Sequence, residues 1–271
     1  MSKSSKSIWV GFAIGMSCIF FSIKMSGDFR TFLNWPSIFI TIGGTLGAVV
    51  VSFPVNRLKT LGAVMKKAFV NESYDIEKDI DTIVSLAGIT RREGLLSLED
   101  AIDQYTDDKF LKKGILLIID GADKDQLRET LETEIYFMQQ RHQKGHAMLD
   151  MIASTVTSLG LLGTYIGLIP MLVKLDDPTK LGPLMAIELV TSFYGAFFAY
   201  VIFSPMSKRL KTMNADEVTR KEFLIEGLMA IEDNQNPRTI REKLVAYMIS
   251  KQSTGNISTQ EQDKFKIRKV A

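Results

Sequence analysis

Four long runs without aspartate, glutamate, lysine or arginine constrain the fold of this chain more than any other feature. They cover residues 7–23, 31–56, 151–173 and 181–207, and only Glu188 interrupts the last of them. Each run has, or nearly has, the ~20 residues that a helix needs to cross a bilayer. We therefore predict an all-α integral membrane protein with four transmembrane helices, at residues 7–23, 33–53, 151–173 and 182–206.

Lysine and arginine concentrate on one side of the four predicted spans. They precede the first and third spans and follow the second and fourth: Lys3, Lys6, Arg57, Lys59, Lys66, Lys67, Arg141, Lys144, Lys208, Arg209 and Lys211. Because positively charged loops stay in the cytoplasm, both termini are predicted to be cytoplasmic. The first span has the charged-then-apolar pattern of a signal peptide but no clear cleavage site, so we predict that it is retained in the cytoplasmic membrane.

The segments outside the spans have a helical composition. Residues 54–150 and 207–250 combine charged residues with apolar residues at helical spacing. We predict that they pack into one helical cytoplasmic domain, that residues 1–6 form a short cytoplasmic N-terminus, and that the polar residues 251–271 form a disordered tail.

Two helix starts can be predicted within these segments. Asp123 followed by Gln126 resembles a capping box, and the helix that begins there should continue into the third span without a break. Asn236 followed by Pro237 predicts the start of a further helix near the C-terminus.

Composition excludes several classes of function. The net charge is only +2 and no basic stripe is interleaved with aromatic residues, so we predict no binding of nucleic acid. Cys18 is the only cysteine, which excludes a disulfide framework and a cysteine-based metal site. His142 and His146 lie one helical turn apart, but no third ligand lies nearby. We predict neither a metal site nor a cofactor.

Hydroxyl side chains lie at similar depths on the third and fourth predicted spans. Thr164 and Thr191 are each roughly 12–14 Å from the outer end of their span, at a rise of 1.5 Å per residue, and Ser192 follows Thr191. These oxygens could complete the coordination shell of a passing ion. They could equally bond to their own helix or hold helices together. The loop between the two spans is predicted at residues 174–180.

Four ordered motifs carry a family resemblance. They are residues 36–47 (PSIFITIGGTLG), 91–99 (RREGLLSLE), 160–168 (GLLGTYIGL) and 181–195 (LGPLMAIELVTSFYG). Together they resemble the MotA/PomA stator subunits of the bacterial flagellar motor, over about residues 9–248. The resemblance implies a non-enzymatic subunit, five copies of which form a ring around a dimer of a single-span MotB/PomB-type partner that supplies the ion-binding aspartate. Ion passage would turn the ring and drive the rotor protein FliG.

The resemblance also implies roles for particular residues. Thr164, Thr191 and Ser192 would line the ion path. Arg91 and Glu99, with Arg92 as an additional basic residue, would contact FliG, and their spacing of eight residues predicts side chains about 12 Å apart on one helical face.

Glycines and prolines of the third and fourth spans have predicted packing roles. Gly160, Gly163 and Gly167 would allow close approach of another helix. Pro205 matches a family proline at which the helix bends, whereas Pro170 is additional and Thr157 replaces the other proline of the family.

Glu188 stands where the family has a small apolar residue, about a turn and a half inside the fourth predicted span. An acid within a span is costly, so it indicates a function by default. We consider two roles for it: lining the outer mouth of the ion path, or reaching the lipid headgroups.

The transported ion and the process that it drives each have alternatives. We predict that the transported ion is the proton. A sodium-driven PomA/MotP-type stator is the alternative, because the threonine at position 164 also resembles sodium-using members of the family. An ExbB/TolQ-like energiser of another envelope process is a second alternative, although those relatives have three spans. A secondary transporter would need a substrate site, and the sequence has neither the inverted repeats nor the broken helices that would frame one. A purely structural membrane scaffold is a further alternative.

Overall fold

The computed structural model describes residues 3–27, 29–70 and 74–256. Within these residues every regular element is helical. The α-helices are α1 (Lys3–Ser26), α2 (Trp35–Ile38), α3 (Gly44–Ser52), α4 (Val55–Phe69), α5 (Ile76–Glu93), α6 (Ser97–Tyr105), α7 (Lys109–Ile119), α8 (Lys124–Val173), α9 (Pro178–Phe197), α10 (Ser204–Glu232) and α11 (Pro237–Asn256). The fold is thus all-α, as predicted.

The chain forms two compact units. The first consists of Met1–Ser73 and Gln140–Asn214, and the second of Tyr74–Gln139 and Ala215–Ala271. Three continuous helices are long and apolar enough to cross a membrane: Trp35–Ser52, Lys124–Val173 and Pro178–Glu232. A shorter apolar helix covers Val10–Met25.

Helix α8 begins where the sequence predicts. The carboxylate of Asp123 accepts a hydrogen bond of 2.8 Å from the N–H of Gln126, which satisfies a donor that a helix start leaves without a partner. From there the helix runs for 50 residues to Val173. Its first apolar stripe is buried in the second unit: Leu127, Leu131, Ile135 and Met138.

The loop between α8 and α9 is shorter than predicted. It comprises only residues 174–177, not 174–180, because α9 begins at Pro178. Asp177 caps this helix by accepting a hydrogen bond from the N–H of Thr179 at 3.2 Å, and proline is favoured at the first helical position. Glu188 is therefore ten residues, or about 15 Å, from the helix start, which is deeper than the predicted turn and a half.

Two π-helical segments interrupt the apolar helices. One, Phe39–Gly43, joins α2 to α3, and the other, Phe198–Phe203, joins α9 to α10. Pro205 lies just after the second segment and has no N–H to donate to the preceding turn, which favours such local rewinding. Pro170, in contrast, lies within α8, and the helix continues past it to Val173.

At the C-terminus the structure corrects the predicted start of the tail. The carboxamide oxygen of Asn236 accepts a hydrogen bond of 3.0 Å from the N–H of Arg238, and α11 begins at Pro237. The helix continues to Asn256, so the predicted tail boundary at residue 251 is too early. Residues 257–271 of that tail lie outside the described residues.

A charged cluster lies within the packed helices of the second unit. The guanidinium of Arg220 donates to both carboxylate oxygens of Asp79 at 2.6 and 2.9 Å, and to Asp108 at 2.7 Å. It also lies 4.8 Å from the centre of the Tyr74 ring. Asp108 additionally caps α7 through the N–H of Phe110 at 2.8 Å. The cluster thus joins α10 to α5 and to the start of α7.

Candidate functional site

The glycines of α8 lie against α9 of the same chain. A Cβ added to Gly160 would stand 2.9 Å from the Cα of Gly195, and one added to Gly167 would stand 2.8 Å from the carbonyl oxygen of Leu184. Both neighbours are backbone atoms, so any side chain at these two positions would force the helices apart. The close approach predicted for these glycines is therefore made within the chain, and this glycine face is occupied by α9.

Thr191 is sealed into the same contact. A Cβ on Gly163 would lie 2.4 Å from the Thr191 Cγ2, so the threonine side chain occupies the space that the glycine leaves. Thr191 is 0% exposed, and its hydroxyl donates to the carbonyl oxygen of Ile187. In the single chain this hydroxyl has the helix-internal bonding typical of membrane threonines.

Thr164 and Ser192 are more accessible than Thr191. Both side chains are partly exposed. The Thr164 hydroxyl donates to the carbonyl oxygen of Leu161 at 2.6 Å, and the Ser192 hydroxyl donates to that of Glu188 at 3.2 Å. A hydroxyl that donates one bond keeps its lone pairs as acceptors. The two oxygens can therefore still receive a bond or coordinate a cation.

Glu188 lies at the contact between the two helices. Its Cβ would be 3.0 Å from a Cβ on Gly167, and its side chain is partly exposed. In the described part of the chain it has no ion pair. Its backbone carbonyl accepts the hydroxyls of both Thr191 and Ser192, each at 3.2 Å. The acid and the two hydroxyls thus belong to one turn of α9.

A hydroxyl stripe that runs from α2 through the first π-helical segment to α3 was missed by sequence reasoning. Ser37, Thr41 and Thr45 are buried, and each threonine donates to the residue four positions earlier, Thr41 to the Ser37 carbonyl and Thr45 to the Thr41 carbonyl. The Ser37 hydroxyl also reaches the carbonyl oxygen of Ile187 on α9 at 3.4 Å. Their spacing of four within an apolar run was the signal that could have revealed them.

The two histidines lie against α10. The Nδ1 of His142 is 2.9 Å from the side-chain oxygen of Asn214, and the backbone carbonyl of His146 accepts the hydroxyl of Ser207 at 3.2 Å. One turn further along α8, Asp150 forms an ion pair of 2.6 Å with Lys211. Burial and the nearby Lys211 charge lower the pKa of His146. The region joins α8 to α10.

Arg91 and Glu99 are on different helices, which corrects the predicted single face. Helix α5 ends at Glu93, because Gly94 adopts a φ of 92° that other residues rarely take. Helix α6 starts at Ser97, so Glu99 lies in its first turn. The distance of about 12 Å derived from a continuous helix therefore does not apply.

The turn between α5 and α6 exposes both charges and apolar groups. Arg91, Arg92 and Glu99 are all exposed. Between them Leu96 is 73% exposed. The turn thus presents three charged side chains and one large apolar side chain to solvent.

Comparisons with known proteins agree on one family. A model described as the MotA/TolQ/ExbB proton channel family matches residues 103–223. The chain is 38% identical to the uncharacterized protein YtxD of Bacillus subtilis, over 88% of this chain and 88% of that protein. It is 32% identical to Motility protein A of Treponema phagedenis, over 89% and 92% of the two chains.

The similarity extends to a solved structure. The flagellar MotAB stator complex from Bacillus subtilis contains a chain that matches with a TM-score of 0.81 and 31% identity. The match covers 96% of this chain and 99% of the other.

Proposed function

Because this chain belongs to the MotA/TolQ/ExbB proton channel family and is a flagellar stator subunit, we propose that it conducts protons together with a MotB-type partner and converts their flow into torque for swimming. The whole-length similarity to a chain of a solved MotAB stator complex carries the proposal. Five copies would surround a dimer of the single-span partner.

The proposed topology has four spans and two cytoplasmic termini. Three long apolar helices and the shorter helix Val10–Met25 supply the spans. The basic residues that follow the second span and the fourth, such as Arg57 and Lys208, support a cytoplasmic location for α4, for the second unit and for α10. The protein would thus be a multi-pass protein of the cytoplasmic membrane.

The proposed ion path uses the accessible oxygens beside the contact between α8 and α9. Thr164, Ser192 and Glu188 are partly exposed and would face the partner's ion-carrying carboxylate. Thr191 would contribute by holding its turn of α9 against Gly163. Movement of the helices would be accommodated near Pro205, where the π-helical segment ends, with Pro170 as a second flexible point.

The choice of ion can be tested through swimming. We expect cells that depend on this subunit to swim at normal speed in sodium-free buffer and to stop when a protonophore collapses the proton gradient. Speed would be measured by tracking cells across a series of sodium concentrations. Loss of motility on sodium removal alone would assign sodium as the ion and contradict proton conduction.

Glu188→Gln is expected to lower swimming speed most strongly when the driving ion is scarce. The substitution removes a negative charge from the path and keeps the shape of the side chain, so it should weaken ion attraction without disturbing the contact with Gly167. The measurement is speed against external pH, with Asp176→Asn in the short outer loop as the matched control. Identical speed curves for wild type and Glu188→Gln would contradict a role at the mouth of the path.

Arg91 and Glu99 are proposed to contact the rotor protein FliG through complementary charges. Such contacts favour fast association and release. We expect Arg91→Glu and Glu99→Lys each to abolish rotation of tethered cells while the complex still assembles with its partner in the membrane. Arg238→Glu on α11, also at an exposed arginine, should leave rotation unchanged. Normal rotation in both charge-reversal variants would exclude this surface.

A further inference from the structure

One side of α8 in the second unit points to solvent and carries three acids. Its members recur at steps of four, three and four residues, which places them on one side of the helix: Asp125, Glu129, Glu132 and Tyr136. All four are exposed, and Tyr136 is 55% exposed. Together with Arg128 and Thr133 they line a shallow groove of about 380 Å³. We call this surface the acidic face.

The acidic face keeps a net negative charge in the single chain. Glu132 pairs with Arg128 at 3.3 Å, but Asp125 and Glu129 form no ion pair with any residue that the structure describes. Arg128 is itself shared, because its guanidinium also donates to Glu226 of α10 at 2.8 Å. Two carboxylates therefore project from this face without a cation bound to them among the described residues.

Helix α11 lies next to the acidic face. The carboxylate of Glu226 joins the two, since Arg128 donates to its Oε1 and the Nζ of Lys243 on α11 lies 3.3 Å from its Oε2. Arg128 borders the acidic face. The start of α11 thus flanks that face, and both belong to the second unit.

From this contact α8 and α11 continue in the same direction. Glu134 of α8 lies 3.9 Å from the ammonium of Lys221, and the ring of Tyr247 of α11 lies 6.3 Å from the ring of Phe223. Lys221 and Phe223 both precede Glu226 in α10. Both helices therefore run antiparallel to α10, and α11 runs parallel to α8.

The chain leaves α11 within reach of the acidic face. The last residue of this helix, Asn256, is about 20 Å along the helix from Lys243. The acidic face extends about 12 Å along α8 beyond Arg128. Residues 257–263 can span at most about 25 Å. They are long enough to return the chain to the Tyr136 end of the face.

The segment that follows is basic. Residues 264–270 read KFKIRKV and contain four cations and no acid. In an extended chain alternate side chains point to the same side and recur every ~6.6 Å. The carboxylates of the acidic face recur every ~4.5–6 Å along α8. Three cations on one side of the segment thus match the three carboxylates in number and nearly in spacing.

We infer that residues 264–270 dock on the acidic face of the same subunit. Single exposed ion pairs contribute little, but a short tether gives the segment an effective concentration of about millimolar at the face. Several weak pairs then suffice for an intramolecular contact. Because the chain arrives at the Tyr136 end, the pairs run in this order: Lys264 with Glu132, Lys266 with Glu129, and Arg268 with Asp125.

The contact can be tested by cross-linking in the purified complex of the subunit and its partner. In a Cys18→Ser background, Thr133→Cys in the groove and Phe265→Cys in the segment are joined by a short thiol cross-linker. We expect an intrachain link, which joins two peptides of one subunit and leaves the subunit at its monomer mass on a denaturing gel. The yield should fall about tenfold in 1 M salt, because salt screens exposed charges.

Charge reversal tests the pairs themselves. Asp125→Lys combined with Glu129→Lys should lower the yield of the intrachain link about tenfold. Lys266→Glu combined with Arg268→Glu should lower it by a similar factor. All four substitutions together should restore the yield, because the charges are again complementary. Restoration separates docking from any damage that the single pairs of substitutions cause.

The matched control is Asp100→Lys combined with Asp107→Lys. Both acids are exposed in the second unit and lie outside the acidic face, so the yield should not change. Absence of the intrachain link in the parent cysteine pair would overturn the proposal, as would equal yields with and without reversal of Asp125 and Glu129. Links formed only between subunits would assign the face to a second copy of the chain and would also overturn it.

A lipid surface is the competing binder of a basic segment. The cross-linking is therefore repeated with the complex in vesicles of phosphatidylcholine and in vesicles of phosphatidylglycerol. The intrachain link should form with similar yield in both. Its loss in phosphatidylglycerol alone would assign residues 264–270 to the anionic membrane and overturn docking on α8.

Discussion

Gly160→Ala is expected to abolish swimming although the protein still reaches the membrane. The added Cβ would lie 2.9 Å from the Cα of Gly195 and 3.1 Å from the carbonyl oxygen of Thr191. Both are backbone atoms, which cannot move aside as a side chain can. To reach an ordinary contact of 3.4 Å, α8 and α9 must separate by about half an ångström along a tightly packed interface. Overpacking of this kind costs about 1–3 kcal/mol.

The expected loss would be measured as the swimming speed of cells and the melting temperature of the purified complex. Gly43→Ala is the matched control, since a Cβ there meets no atom within 4 Å. Gly163→Ala provides a contrast, because its obstacle is the side chain of Thr191 and can be removed by Thr191→Gly. We expect this second substitution to restore the melting temperature of Gly163→Ala but not that of Gly160→Ala. Wild-type speed and melting temperature in Gly160→Ala would contradict the tight contact.

Arg220→Gln is expected to destabilise the second unit by about 3 kcal/mol, the effect typical of breaking a buried ion pair. The Arg220 side chain is only 14% exposed, and its partners Asp79 and Asp108 are 15% and 21% exposed. Removal of the guanidinium would leave two carboxylates close together without a counter-charge. The measurement is hydrogen exchange of the amides of α5 and α7 in the intact complex, which reports local opening free energies.

The exposed pair between Arg241 and Asp81 provides the control for this prediction. Like the buried cluster it connects a helix to α5, but its side chains are 49% and 57% exposed. Arg241→Gln should therefore change the opening free energy by less than about 1 kcal/mol. Equal changes in opening free energy for Arg220→Gln and Arg241→Gln would show that the buried cluster stabilises the second unit no more than an exposed ion pair does.

The contribution of the cluster should depend on pH in a defined direction. Burial by itself would raise the pKa of Asp108, but the hydrogen bonds and charge of Arg220 outweigh burial and lower that pKa. A carboxyl whose pKa is lowered on folding stabilises the protein above its unfolded pKa of about 4, and the effect is lost as pH falls through the folded value. Wild type and Arg220→Gln should thus differ less in opening free energy below about pH 4 than at neutral pH. The exchange data are corrected for the pH dependence of the intrinsic exchange rates.

Local signals in the sequence predicted several elements well. The helix that begins after Asp123 and the one that begins at Pro237 follow from capping residues that act on the next two or three backbone groups. The apolar residues at helical spacing in this segment include Leu127, Leu131, Ile135 and Met138, and all four are buried. These features depend on a few neighbouring residues and could be derived without knowing which helices touch.

Other predictions failed where a single residue decides whether a helix continues. Gly94 ends α5, so Arg91 and Glu99 are on separate helices. Asp177 and Pro178 start α9 four residues before the predicted span, so Glu188 is deeper within the helix than predicted. In both cases an apolar or charged pattern continues across the position, and the backbone conformation rather than the pattern sets the boundary.

By itself the sequence determined the chemical character of this protein: apolar helices for a bilayer, a charged helical remainder, and the order of motifs that identifies its family. Only the tertiary structure decided which groups are available for function. Thr164, Thr191 and Ser192 look equivalent along the chain, yet Thr191 is sealed against Gly163 while the other two are partly exposed. The physical reason is that burial depends on which face of a helix meets another helix. The glycine at position 163 predicts that some helix approaches closely, but only the tertiary structure shows that this helix is α9 and that Thr191 lies opposite the glycine.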